Sequence, residues 1–276
     1  MTAPILDVKN LSVAFGRGTV KAVDSVDLRL DVGKIGIVGE SGSGKSTLGR
    51  AIMRLLPPTA RITADRLEFQ GHDLRTLPDR EMRGLRGNRM ALIMQDPRYS
   101  LNPVLPIGQQ VAETAVLHKG LSKGAAREAA ASMLERVRIR DVARVMEAYP
   151  HQISGGMGQR VMIAAMLLAR PGLVIADEPT SALDVSVRGE VLELLDDLVV
   201  ADGASLLLIS HDIRMVAAFC NRIVIMFKGR VVETLDRLED ARHPYTCALI
   251  AAMPDARHPV PRLRVPDRTT FEEAAR

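Results

Sequence analysis

The stretch Gly39-Glu40-Ser41-Gly42-Ser43-Gly44-Lys45-Ser46-Thr47 decides how the rest of this chain is read. It fits the pattern G-x-x-x-x-G-K-[ST], with Gly39, Gly44, Lys45 and Ser46 at the fixed positions. The apolar run Ile35–Val38 precedes it and a helix-like segment, Leu48–Leu56, follows. That strand–loop–helix setting is the one such a loop requires. Glycines let successive backbone N–H groups turn inward around phosphate oxygens, and the helix that starts there adds its positive end. Lys45 can then reach β- and γ-phosphates as a point charge, and the Ser46 hydroxyl can ligate Mg²⁺. Ser41, Gly42, Ser43 and Thr47 belong to the same cradle. A flexible Gly/Ser turn is the competing reading, but the length of the pattern and its setting favour a nucleotide site.

Composition bounds the partners. A chain of 276 residues with 47% hydrophobic content forms one or two domains and buries a real core. Lys and Arg number 37 against 33 acidic residues, a net charge of +4 with no dense basic stretch. Aromatics make up 3% and Trp is absent, so nucleic acid is not an expected partner. Cys220 and Cys247 form no disulfide or metal-ligand pattern, which suits a reducing compartment. The N-terminus lacks the features of a signal peptide, and no apolar run approaches the roughly 20 residues that span a bilayer. The expectation is a cytoplasmic protein able to dock on something in the membrane.

Along the chain, Ile5–Val8, Leu11–Phe15, Val20–Val23 and Val26–Leu30 read as four short strands separated by turns. Phe15 is either a core residue of this small sheet or a platform for a purine base. Ile62–Phe69 reads as one further strand, Arg75–Arg89 as a basic solvated helix and loop, and Met90–Met94 as a buried run ending at Gln95. From about Val111 to Val145 the pattern is helical, with Ala126, Ala129, Ala130, Met133, Leu134 and Val137 on one face. Ser154-Gly155-Gly156 stands just before another helical run, Val161–Ala169, and exposes backbone donors at a helix start. Leu173–Ala176 is a buried strand running into Asp177-Glu178. An Asp there is placed to hold Mg²⁺, and the following Glu to take or orient the proton of an attacking water. Ser205–Ile209 is another buried strand, with His211 at its end. Ile223–Phe227 and Val231–Glu233 form a hairpin through Lys228-Gly229, Arg237–Met253 is predicted to be helical, and a proline-bearing tail follows.

In this order the pieces resemble an ATP-binding cassette (ABC) ATPase over nearly the whole chain. Gly39–Thr47 matches the Walker A loop, Gln95 the Q-loop, Ile153–Met157 the LSGGQ signature and Leu173–Glu178 the Walker B strand. Ser181–Asp184 matches the D-loop and His211 the switch histidine. Met94–Pro97 with Ser100–Pro103, Tyr149-Pro150-His151, and His243-Pro244-Tyr245-Thr246 look like the oligopeptide/dipeptide/nickel uptake importers.

The resemblance implies an α/β fold: a P-loop ABC ATPase core of mixed and parallel sheet with an antiparallel β subdomain, plus an inserted α-helical subdomain. Residues 1–96 and 166–253 would form the nucleotide-binding core, 97–165 the helical signature subdomain and 254–276 an extended C-terminal extension. It also implies ATP and Mg²⁺ as ligands. Lys45 and the loop amides would hold the phosphates, Ser46, Gln95 and Asp177 the metal, and Phe15 the adenine. Glu178 would activate water, with His211 at the γ-phosphate. Ser154, Gly155 and Gly156 would close over ATP held by a second ABC ATPase subunit, identical or different. Two membrane permease subunits and, indirectly, an extracytoplasmic solute-binding protein complete the expected assembly at the cytoplasmic face of the inner membrane. Peptides, nickel and metal–chelator complexes are the expected cargo classes.

Three departures stand out: Met157 for the signature Gln, Gly158 where relatives carry a larger polar residue, and a segment before Walker A that is one residue short. A soluble ABC ATPase acting on DNA or ribosomes is the rival reading, opposed by the single cassette and short insertion. A regulatory subunit without turnover is opposed by Glu178 and His211.

Overall fold

The computed structural model describes residues 3–16 and 20–252. The chain divides into two compact units, one containing the described residues of 1–75 and 208–276, the other 76–207.

The first unit begins with β1 (Leu6–Phe15) and β2 (Val20–Leu30), two long antiparallel strands where four short ones were expected. The places read as turns are irregularities inside the strands. Asn10 and Ser25 take left-handed backbone angles, φ 50° and 55°. Each is tied across the sheet, Asn10 N–H donating to Asp27 Oδ1 at 2.7 Å and Ser25 N–H to Ser12 Oγ at 2.9 Å. Such bulges bend a strand without ending it. After β3 (Lys34–Val38) and α1 (Lys45–Ile52), the predicted strand 62–69 is in fact two, β4 (Arg61–Thr63) and β5 (Arg66–Phe69). β4 pairs with Ser12–Ala14 and β5 with Leu6–Lys9, so the partner breaks where β1 bends at Asn10. With β6 (His72–Asp73) the sheet runs β2–β1–β5–β6, with β4 also on β1.

The second unit holds α2 (Asp79–Leu85), β7 (Met90–Ile93) and then three helices, α3 (Ile107–Lys119), α4 (Lys123–Arg136) and α5 (Val142–Glu147). The stretch 111–145 is thus helical in pieces. Gly120 ends α3 in a left-handed cap at φ 64°, and the side chains of Ser122 and Asp141 cap α4 and α5. Of the predicted stripe, Ala126, Ala130, Met133, Leu134 and Val137 are buried and Ala129 is half-buried. Next come α6 (Gly155–Leu167), β8 (Leu173–Asp177), which runs parallel to β7, and α7 (Val185–Ala201). β9 (Ser205–Ser210) is buried along its whole length, and the division between units falls inside it.

Returning to the first unit, α8 (Ile213–Phe219) lies against β3 because Gly36 has no side chain: a Cβ there would stand 1.9 Å from Val216 Cγ1. β3 is buried from Ile35 to Val38, as expected for a strand covered on both faces. β10 (Arg222–Phe227) runs parallel to β3 and forms the predicted hairpin with β11 (Arg230–Leu235). The helix predicted from 237 is much shorter, α9 (Pro244–Ala251). Pro244 has no N–H and suits the first helical position, so His243 becomes the cap. The Glu233 carboxylate accepts the N–H groups of Arg242 and His243 at 2.8 and 3.1 Å and keeps that approach extended. Met253 and the tail 254–276 lie outside the described residues.

Candidate nucleotide-binding site

In the first unit the glycine loop joins β3 to α1, and packing dictates two of its three glycines. A Cβ on Gly39 would stand 2.1 Å from the Met226 carbonyl oxygen; one on Gly44 would stand 2.3 Å from that of Ala22. Gly44 also sits at φ 99° as the N-cap of α1, and no side chain caps that helix. A helix start is where backbone N–H groups and the helix dipole suit phosphate. Lys45 is 4% exposed, an unusual burial for lysine. Its ammonium donates to the carbonyl oxygens of Gly39 and Glu40, both at 2.7 Å, and reaches Ser43 Oγ at 3.4 Å. Ser43 is buried and its carbonyl accepts from Gly229 N–H at 3.0 Å. Ser46 and Thr47 are half-buried, while Ser41 and Gly42 are exposed.

Two other predicted residues lie in this unit. Phe15 is half-buried at the end of β1 and does not join the hydrophobic core. His211 is exposed just beyond β9, followed by Asp212, whose carboxylate caps α8 through Arg214 and Met215 N–H.

The second unit carries the remaining candidates. Asp177 ends β8 and is 5% exposed. Glu178 follows in a left-handed conformation, φ 47°, which costs a non-glycine residue on the order of 1 kcal/mol or more. Ser181 holds it there, donating its N–H and hydroxyl to the Glu178 carbonyl at 3.2 and 3.1 Å. Gln95 is exposed beyond β7. The next residue, Asp96, caps a short turn over Pro97–Tyr99, and hydrogen bonding to Arg98 holds its carboxyl below the usual range. Pro97 packs on the signature helix: a Cβ on Gly158 would meet Pro97 Cγ at 3.4 Å, ordinary contact. The larger residue of relatives is therefore not sterically barred at its first atom.

Ser154 caps α6, accepting from Met157 N–H at 3.3 Å. The helix start opens onto a cleft of about 740 Å³ lined by Gly155, Gly156, Arg140, Arg144, Asp184 and Val187. Gly155 would accept a Cβ with nothing within 4 Å, and Gly156 would meet only Val187 Cγ1 at 3.3 Å.

The structure brings together Gly39, Ser43 and Lys45 in one unit, and in the other joins the signature with Asp184 and Glu178 with Ser181. Ser181 is legible in the sequence as the first residue of the D-loop, but its hold on the Glu178 carbonyl is not, although a position three residues after Glu178 is the spacing of a local turn. Sequence reasoning gave Tyr245 no role, although the tyrosine is 2% exposed and its hydroxyl accepts the Glu40 N–H at 3.0 Å.

The ABC transporter family model matches residues 23–181. The chain belongs to that family. It is 45% identical to the dipeptide transport ATP-binding protein DppD of Escherichia coli over 257 residues, 91% of this chain and 79% of that protein. A putative peptide import ATP-binding protein of Brucella abortus is 44% identical over 95% of this chain and 81% of its own length. Among solved structures, the ATP-binding cassette MJ0796, a dimer in a post-hydrolysis state with ADP and Pi, aligns with a TM-score of 0.74 and 28% identity. That alignment covers 84% of this chain and 98% of the other. The fold is that of an ABC ATPase cassette, α/β with an antiparallel β subdomain and inserted helices, and the chain is an ATPase.

Proposed function

We propose that this chain is the ATP-hydrolysing subunit of an ABC importer that takes up a peptide-class solute. The observation that carries the reading is the resemblance, over nine-tenths of the chain, to dipeptide and peptide import subunits. An intact Asp177-Glu178 pair at the end of β8 supports turnover. Lys45 and the loop amides bind the phosphates, exchanging the Gly39 and Glu40 carbonyls for phosphate oxygens at the Lys45 ammonium. Phe15 stacks on adenine. Glu178 takes the proton of the attacking water, and its Ser181-held backbone keeps the carboxylate aimed. His211 stabilises charge at the γ-phosphate, a contribution of ~3 kcal/mol for one preorganised donor.

Ser46, Gln95 and Asp177 offer only oxygen donors, the ligand class Mg²⁺ takes. Among the described residues no cluster of three or more His, Cys, Asp or Glu side chains could hold a metal ion alone. The cation would be carried largely by nucleotide phosphates, whose charge it would neutralise.

The exposed start of α6 serves ATP bound to a second cassette. Permease subunits supply the solute's path; among the described residues of this chain no helix is long and apolar enough to cross a membrane. An apolar groove of about 530 Å³ along α3 and α4, lined by Leu105, Ala112, Val116 and Leu117, offers them a docking surface. Residues 97–165 act as the helical subdomain that transmits the motion, on the cytoplasmic face of the membrane.

Glu178→Gln tests the reading. The variant should bind ATP as tightly as the parent while turnover falls by roughly 10²-fold or more. Undiminished turnover removes Glu178 from the role of base. Recovery of the chain with ribosomes or DNA, rather than a permease, removes the importer.

A further inference from the structure

The His243–Thr246 turn lies on the opposite side of the sequence from the glycine loop, yet one of its side chains reaches it. Tyr245 is the largest fully buried side chain among the described residues. Its ring packs on Phe227 with centroids 4.5 Å apart, and Phe227 follows Met226, whose carbonyl closes on Gly39. The hydroxyl then accepts the Glu40 N–H at 3.0 Å. That N–H belongs to the same peptide unit as the Gly39 carbonyl, which accepts the Lys45 ammonium at 2.7 Å. One planar peptide is therefore held from both sides, by Tyr245 at its donor and by Lys45 at its acceptor. Planarity makes the two contacts dependent: rotating the peptide to lose one also displaces the other.

The turn that carries Tyr245 is itself anchored. His243 Nδ1 accepts the Tyr245 N–H at 3.2 Å, and Glu233 accepts the N–H groups of Arg242 and His243.

We propose that Tyr245 is a positioning residue of the nucleotide site, its hydroxyl setting the Gly39–Glu40 peptide so that the loop and Lys45 are ordered before nucleotide arrives. The proposal rests on the nucleotide reading of the glycine loop and adds a residue to it. The contact Tyr245 makes there is with the loop backbone. Its contribution is to spare the loop an ordering cost on binding.

Tyr245→Phe in the full-length chain keeps the ring and removes the hydroxyl. The expected result is an ATP and an ADP dissociation constant both raised roughly three- to tenfold, the range for losing one hydrogen bond. Turnover at saturating MgATP in the assembled complex should stay within about twofold, because the chemistry lies elsewhere. A merely structural hydroxyl would lower the Tm and leave both dissociation constants alone. Affinities that change by less than twofold, or that tighten, overturn the proposal. A second measurement needs no variant. In the nucleotide-free parent the Glu40 amide should exchange with solvent far more slowly than those of the exposed Ser41 and Gly42, and equal rates overturn the proposal. If the parent itself fails to bind ATP, the nucleotide reading falls instead, which is a separable outcome.

Discussion

Two helix starts in this chain carry glycines next to a serine, and only one needs them for its own folding. At α1, Gly39 and Gly44 press against the carbonyl oxygens of Met226 and Ala22, and Gly44 sits at φ 99°. At α6, Gly155 stands in open space and Gly156 meets one valine methyl. The first loop is closed by its own unit, with Lys45 buried and Tyr245 behind it. The second start is exposed; nothing within 4 Å bars a Cβ at Gly155, and Gly156 meets only Val187 Cγ1 at 3.3 Å. A glycine that packing does not require is explained by what must approach from outside. The proposed approach of a second cassette's nucleotide would be such an explanation.

The largest test of this contrast is alanine at each place. Gly44→Ala adds a Cβ 2.3 Å from a backbone oxygen and at a φ that alanine rarely adopts. Overpacking and strain together should cost about 3 kcal/mol, a Tm loss of roughly 6–12 °C for a chain of this size, with nucleotide binding lost. Gly156→Ala has only Val187 Cγ1 at 3.3 Å to move, so its Tm should stay within about 2 °C and its own ATP affinity should not change. Turnover of the assembled importer should nonetheless fall at least tenfold. Equal Tm losses in the two variants, measured by thermal unfolding, would break the contrast.

The sequence announced these two ends with very different clarity. Gly39–Thr47 was legible alone because the loop's chemistry is local: backbone donors, one lysine and a helix start, all within nine residues. Buried runs such as 35–38, 173–176 and 205–209 were equally plain, since continuous apolar stretches bounded by polar residues have few other uses. What stayed hidden depends on pairing between distant segments. Asn10 and the Asp24-Ser25 pair read as turns because such polar residues serve a turn and a bulge alike; only the cross-strand partners Asp27 and Ser12 separate the cases. The break between β4 and β5 follows from that bend in β1 and has no mark of its own in 61–69. The over-long C-terminal helix has a different cause: Glu233 holds the approach extended and Pro244 takes the first helical position, so the helix starts at 244 rather than 237. Tyr245 sat in a recognisable motif, but its partner lies 205 residues earlier in the chain.

Helix capping gives a middle-sized test. Ser154 is the one side chain that satisfies an N–H at the start of α6, whereas α1 begins on Gly44 with no side-chain cap at all. Ser154→Ala should therefore cost about 1 kcal/mol and lower the Tm by roughly 2–4 °C. A Tm unmoved by this substitution would mean that α6 draws its stability from packing alone, and the exposed start would then be free of any structural demand.

The smallest effect separates the two ends by pH. Behind the glycine loop, Glu233 anchors the turn that carries Tyr245. Burial opposes ionisation of that carboxyl, but the N–H groups of Arg242 and His243 on Oε1, with the Thr246 hydroxyl beside it, outweigh it and hold the group below the ordinary value of 4.5. A depressed carboxyl stabilises the fold at pH values above its unfolded pKa, and the contribution is lost as pH falls through the lower, folded value. The Tm difference between the parent and Glu233→Gln should thus be constant near neutrality and close as the pH drops below about 4. At α6 the capping group is a serine hydroxyl that does not titrate, so the Ser154→Ala difference should hold through the same window. If the Glu233→Gln difference survives at the acid end as well, the ionised carboxylate is not what holds the α9 turn, and the support behind the glycine loop must rest on the Tyr245–Phe227 ring contact instead.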